Sequence, residues 1–319
     1  MNKLIYITSD PMPTGRAYGN QISKLCEAFA DYGVPTELVY LGKKNQNTPE
    51  FFDYFSVKNN FALRPVASFN FLKFESYVGK LGFYMQRLAF LAQLVFLKAD
   101  SNSVVYTRQP AVAWIMSLRG FPTYYEDHGT TDKKSFILLN LLGRVKGIVV
   151  INSFIKKEFV QSGIPSDKVL VAPSGVDVKN FDIAISQGEA INRLDLRNKL
   201  NVDFENKKVL VYTGNFRTKG VDKGIDEILG ALSVLKDPTL VFIAVGGSEP
   251  EIDFYSKMAR GYSIKNAFFL PRHNQIELAL FQKTADVLLM PFPRKAHYEY
   301  FMSPVTQQKR TSPDRCRSC

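Results

Sequence analysis

Short apolar runs alternate with segments of helical period along most of this chain, and the alternation runs through two successive series. The first unit of the pattern is the clearest. KLIYIT (3–8) has the composition of a buried strand, SDPMPTGRAYGN is a loop, and QISKLCEAFADYG has helical spacing. Ile22, Leu25, Cys26, Phe29 and Ala30 share one face of that helix, and Gly33 stops it. PTELVYL (35–41) is the next strand. Strand, helix, strand in this order predicts a parallel sheet, because a crossover must return the chain to the same edge.

The series continues through SVVYTR (103–108), the strand Thr123-Tyr124-Tyr125, GIVVIN (147–152) and KVLVAPSG (168–175). Between the last two of these strands, SFIKKEFVQSG is expected as a helix, with Ser153 as its N-cap. Residues 43–75 are aromatic-rich and irregular and suggest a lid or crossover with one or two short elements. Tyr77 to Lys98 is apolar but interrupted by Lys80 and Arg87, short of a membrane span. It suits a helix of the domain; its cations and aromatics also suit a helix lying on a bilayer.

After Phe181 the pattern breaks into a polar, partly helical stretch, 182–207, and a second series starts at Lys208. Its strands are expected at VLVYTG, TLVFIAVGG, NAFFLP and DVLLMPF, with helices between them. The expected class is α/β, with two Rossmann-like domains facing each other across a cleft, divided near 178–185. The domains run 1–180 and 181–304, and 305–319 forms a tail.

The totals agree with a globular protein: 45% hydrophobic and 22% charged residues. The formal charge of +11 points to acidic partners, such as phosphorylated ligands or an anionic membrane surface. No zinc-finger or RNA-binding motif supports nucleic acid. Three cysteines make no disulfide framework and suit a reducing, cytoplasmic setting. The opening strand is too short for a signal peptide.

Two places carry candidate chemistry. In KVLVYTGNFRTKGVDKGIDEILGAL (208–232), a strand turns at Gly214 and Asn215, and a basic loop brings Arg217, Lys219 and Lys223. Gly224 then opens a helix with Ile225, Ile228, Leu229 and Leu232 on one face. A helix start with unpaired N–H groups and neighbouring cations can hold an anion. An ordinary strand–helix connection with solvated lysines is the alternative. In the first series, Gly15, Arg16 and Gly19 lie where an open sheet binds ligands, although glycines there can serve the turn alone. His128, one of three histidines, follows Glu126 and Asp127 at a strand end, where a structural or a catalytic role would fit.

Taken together, NQISKLCEAFADYG, VVYTR, YYEDHG, VVINSFIKKEFVQSGIPSDKVLVAPSGVDVKNF, YTGNF, KGIDEILGAL and TADVLLMPFP resemble the retaining glycosyltransferases of the GT-B fold over most of 1–304. The resemblance implies a nucleotide-sugar donor, a glycan or lipid-linked acceptor, and a role in cell-envelope polysaccharide or glycolipid synthesis at the inner membrane face. It implies no cofactor and no metal. Lys223 and Gly224 would hold the donor diphosphate. Asn215 stands where the family carries arginine, so Arg217 or Lys219 would supply the second cation. Gly15 and Gly19 would approach the phosphates, His128 the transferred sugar, and Ser174 and Gly175 would line the cleft near the hinge. A nucleotide-sugar epimerase and an inactive nucleotide-binding remnant are the alternatives.

The resemblance stops at Val305. VTQQKRTSPDRCRSC has no apolar period and no glutamate where the family places the one that grips the donor ribose. A truncated or frame-shifted end, an incomplete second domain and a disordered tail are expected. Cys316 and Cys319 form a C-x-x-C without the further ligands that zinc requires.

Overall fold

The computed structural model describes residues 3–14, 17–42, 48–67, 80–129, 136–175, 184–218 and 220–291. Gly15, Arg16, Lys219 and the tail 305–319 lie outside the described residues. Contacts divide the chain into Met1–Pro173 and Ser174–Cys319. That division falls a few residues ahead of the 180/181 boundary expected from the break in apolar period.

The first unit is built on a seven-stranded sheet in the order β3-β2-β1-β4-β5-β6-β7, with every neighbouring pair parallel. Its strands are β1 (Leu4–Pro11), β2 (Thr36–Leu41), β3 (Ala62–Val66), β4 (Val104–Thr107), β5 (Thr123–Asp127), β6 (Gly147–Val150) and β7 (Val169–Val171). Successive side chains of β1 point to opposite faces. Tyr6 packs with Ile22 and Cys26 of α1 (Ala17–Asp31) and with Phe51, Phe52 and Phe55 of α2 (Thr48–Phe55). Ile5 and Ile7 pack with Phe90 and Leu94 of α3 (Lys80–Val95) and with Val112 and Met116 of α4 (Pro110–Leu118). Then α5 (Phe136–Leu142) and α6 (Ser153–Gln161) complete the unit.

The described part of 43–75 holds two short elements, within the one or two expected: α2 and β3, ALRPV, which joins the sheet at its edge, where a proline removes no central ladder bond. Two expectations change here. The β5 strand extends through Glu126 and Asp127, because β6 continues to pair with both. The N-cap of α6 is Asn152, not Ser153: its side-chain oxygen accepts the Ile155 N–H at 3.0 Å.

The second unit holds a parallel sheet in the order β12-β11-β8-β13, with β8 (Lys208–Thr213), β11 (Leu240–Gly247), β12 (Ala267–Pro271) and β13 (Val287–Leu288). Val209, Val211, Val241 and Ile243 pack on one side with α7 (Gln187–Arg193), α8 (Leu196–Leu200) and α11 (Gln275–Lys283). Tyr212, Phe242 and Ala244 pack on the other with α9 (Ile225–Leu235) and α10 (Glu249–Gly261). In both sheets the first strand lies inside, between the strand that follows it and a later one. The strand order therefore reverses beside β1 and beside β8, and open α/β sheets bind ligands at the carboxyl ends of such strands.

Candidate functional site

In the second unit the stretch expected as a basic loop is partly a hairpin. Arg217–Thr218 (β9) pairs antiparallel with Val221–Asp222 (β10), and Arg217 lies opposite Asp222. The Lys223 N–H donates to the Phe216 carbonyl at 3.1 Å, which closes the hairpin against the start of α9. Phe216 is fully buried among Tyr212, Tyr255 and Phe269 and anchors it.

Gly224 stands at the N-cap of α9 with φ +97°. A β-carbon there would lie 1.6 Å from the carbonyl oxygen of Pro291, in the segment after β13. Glycine is required by both conformation and space. Gly214, after β8, is similarly tight: a β-carbon on Gly246 would meet its carbonyl oxygen at 2.3 Å. The Asn215 carbonyl accepts the Tyr212 hydroxyl at 2.8 Å.

Lys223 is half-buried, and desolvation lowers its pKa. No described carboxylate pairs with it. Arg217 is differently placed. Its guanidinium lies over the Phe254 ring at 4.6 Å, and its Nε donates to the Tyr255 hydroxyl at 3.2 Å. That hydroxyl donates in turn to Asp222 Oδ2. The other oxygen of Asp222 accepts the Gly224 N–H and, at 3.5 Å, the Asp226 N–H. The chain's own carboxylate thus caps the start of α9, a role that sequence reading missed. Asp-x-Gly is its signal, since Asp bonds backbone N–H groups two residues on.

In the first unit, Thr8 and Asp10 at the end of β1 meet Gln109 after β4. Gln109 Nε2 donates to Asp10 Oδ2 at 3.1 Å, and Arg87 of α3 donates to Asp10 Oδ1 at 3.0 Å. Beside them, Arg108 grips Glu126 with two bonds, Nε to Oε2 at 2.9 Å and Nη2 to Oε1 at 3.1 Å. His128 Nε2 lies 2.8 Å from the same Oε1. Burial pushes the Glu126 carboxyl up, but the His128 hydrogen bond and the Arg108 charge outweigh it and hold the pKa down to about 2. Asp127 Oδ1 accepts the Gly129 N–H at 3.0 Å.

Gly19 serves packing: a β-carbon would lie 2.7 Å from Thr14 Cγ2 and 3.2 Å from the Phe55 ring. Ser174 and Gly175 follow β7, at the division between the two units. The structure therefore brings Lys223, Gly224, Gly214 and Asn215 to one sheet edge, with Arg217 turned onto α10. It brings His128 to the other sheet's edge with Arg108 and Gln109, which no spacing had marked. Among the described residues no group of three His, Cys, Asp or Glu side chains could hold a metal ion.

Two units, each a parallel sheet with its first strand inside and its candidate residues at the carboxyl edge, define the GT-B class of fold. The sequence matches no family model and no curated protein. Among solved structures, the chain is similar to Anabaena HepE in complex with UDP, with 13% identity, 91% of this chain and 74% of that one covered, and a TM-score of 0.62. It is similar to a glycosyltransferase from Rickettsia africae, with 14% identity, coverage of 92% and 74%, and a TM-score of 0.61. It is also similar to the UDP-GlcNAc 2-epimerase of Neisseria meningitidis bound to UDP-GlcNAc, with 13% identity, coverage of 90% and 76%, and a TM-score of 0.52. Likeness at these identities establishes the fold.

Proposed function

We propose that the chain is a retaining glycosyltransferase that moves a sugar from a nucleoside diphosphate sugar to a hydroxyl of a glycan or lipid-linked acceptor. Lys223 carries this reading. A desolvated ammonium without a carboxylate partner is costly unless an anion completes it, and this one lies at the point where the second sheet's strand order reverses. The likeness to HepE with UDP and with UDP-glucose supports a nucleotide-sugar as that anion. As the bond from the anomeric carbon to the β-phosphate oxygen breaks, negative charge grows on the diphosphate, and a preorganised cation stabilises it.

Retention without an enzyme nucleophile fits the first unit. Glu126, Asp10 and Asp127 at its sheet edge are each held by donors. The departing phosphate oxygen then takes the proton of the acceptor hydroxyl while the new glycosidic bond forms on the same face.

An acceptor carried by a membrane, in cell-envelope polysaccharide or glycolipid synthesis, suits the surface of the first unit. The outward side of α3 is apolar: Tyr84, Leu88 and Val95, with Phe96 just beyond, are exposed, and Lys80–Val95 contains no acidic residue. Such a face suits an anionic bilayer surface on the cytoplasmic side. Among the described residues no helix is long and apolar enough to cross a membrane.

The test is incubation with a panel of UDP-, GDP- and ADP-sugars and mixed acceptors, followed by NMR of the products. A new glycosidic bond with the donor's anomeric configuration is expected. Release of a C2-epimerised sugar would instead assign an epimerase, the second reading, which the likeness to the Neisseria enzyme favours. Nucleotide binding without any product would assign a binding protein.

A further inference from the structure

We propose that Asp222 is an internal competitor for the anion site beside Lys223: its carboxylate holds the start of α9 in place of a phosphate, and an arriving diphosphate displaces it onto Arg217. The nucleotide class of that ligand rests on the glycosyltransferase reading; the contact and the second place for the carboxylate do not.

The first position is defined by two hydrogen bonds. Asp222 Oδ1 accepts the Gly224 N–H and, at 3.5 Å, the Asp226 N–H. These belong to the donors that a helix start leaves unpaired, and they are the groups a phosphate at this turn would take. The first turn of α9 is already acidic, with Asp226 and Glu227. Asp226 Oδ1 is buried without a hydrogen-bond partner among the described residues. Burial, with the charges of Asp222 and Glu227, pushes the Asp226 carboxyl up. A diphosphate brought in by Lys223 would meet three carboxylates, and turning Asp222 away removes the one that occupies its N–H donors.

The second position is equally defined. Arg217 lies opposite Asp222 in the β9–β10 pair. The Tyr255 hydroxyl stands between the two side chains, accepting from Arg217 Nε at 3.2 Å and donating to Asp222 Oδ2. Among the described residues Arg217 is engaged by the Phe254 ring and the Tyr255 side chain and by no carboxylate. Rotation of the Asp222 side chain, with its backbone still paired in the hairpin, therefore exchanges one charge-assisted contact for another. Lys223 keeps its ammonium for the ligand because the carboxylate next to it in sequence has this other cation to turn to.

The experiment is a double-mutant cycle read by calorimetric titration with UDP, GDP and ADP. In Asp222→Asn the amide oxygen can still accept the Gly224 N–H, so the cap stays and the competing charge is lost. Asp222→Ser also keeps a cap. Nucleotide affinity is expected to rise about fivefold or more in both variants, the size of one unit-charge repulsion at close range in water. Arg217→Gln alone should weaken binding severalfold. In the Asp222→Asn background the same change should matter less than about twofold, since no carboxylate is left for Arg217 to receive. Affinity unchanged or lowered in both Asp222 variants overturns the proposal. A loss on Arg217→Gln that persists in full beside Asp222→Asn also overturns it, because Arg217 would then act on the diphosphate itself. So does a failure of every protein in the cycle to bind any of the three nucleotides, which leaves nothing to displace the carboxylate. The expected cycle without transfer to any acceptor would sink the glycosyltransferase reading alone.

Discussion

The carbonyl of Pro291 occupies the space that a β-carbon on residue 224 would need, 1.6 Å from the position such an atom would take. Gly224→Ala therefore meets two penalties, the overlap and a φ of +97°. The conformational strain alone costs about 1–3 kcal/mol. Denaturant unfolding should show a loss of at least that size, and nucleotide affinity should fall with it, because the start of α9 must shift. A variant as stable as the wild type would mean that the segment after β13 is not packed there.

Lys223→Ala should leave the fold intact and weaken UDP binding by about 1–3 kcal/mol, the range for a charge-assisted hydrogen bond. Calorimetric titration with UDP is the direct measurement. Lys223→Arg should recover part of the loss. Equal affinity in the wild type and Lys223→Ala would remove the lysine from the site.

Tyr255→Phe deletes the hydroxyl that joins Arg217 to Asp222 while keeping the buried ring. The loss should be about 1–2 kcal/mol in urea unfolding, since a half-buried carboxylate and a cation both lose a partner. The hairpin around Gly220 should exchange its amides faster than in the wild type.

Acid should loosen the first unit in a defined window. The Glu126 carboxyl is held near 2, below its ordinary value of 4.5. A depressed carboxyl contributes stability above the unfolded value, and that contribution is lost as pH falls through the folded one. Between those two values the loss should approach about 3 kcal/mol. Glu126→Gln should be less stable at neutral pH and flatter across this window, as followed by urea midpoints.

If the outward face of α3 meets lipid, Leu88→Glu and Phe96→Glu should each lower co-sedimentation with anionic vesicles severalfold without changing the melting temperature. Binding unchanged in both variants would exclude that face.

The strands that form the two sheet centres were readable because LIYI, LVYL, VLVY and VFIAV are continuous apolar runs, as buried parallel strands require. β3 was not, because Arg64 and Pro65 interrupt it and its edge position makes few demands; Arg64 is instead held by Glu37 at 2.8 Å. The hairpin at Arg217 was hidden because strands of two residues have no period to detect. Lys223 and Gly224 stood out by their place before an apolar helix. Arg108 and Gln109 did not, since a polar residue after a strand acquires meaning only when its spatial neighbours are known. Their partners lie in α1, β1 and β5, distant in sequence.

Asp222 has a consequence for what can be bound beside Lys223. The partial positive charge at the start of α9 is already met by a tethered carboxylate. A small free anion such as phosphate or sulfate arriving there gains one ammonium and meets a standing negative charge. A diphosphate attached to a nucleoside brings a base and a ribose that can make their own contacts. If Lys223 holds a nucleoside diphosphate as proposed, the arrangement would discriminate by ligand size as well as charge.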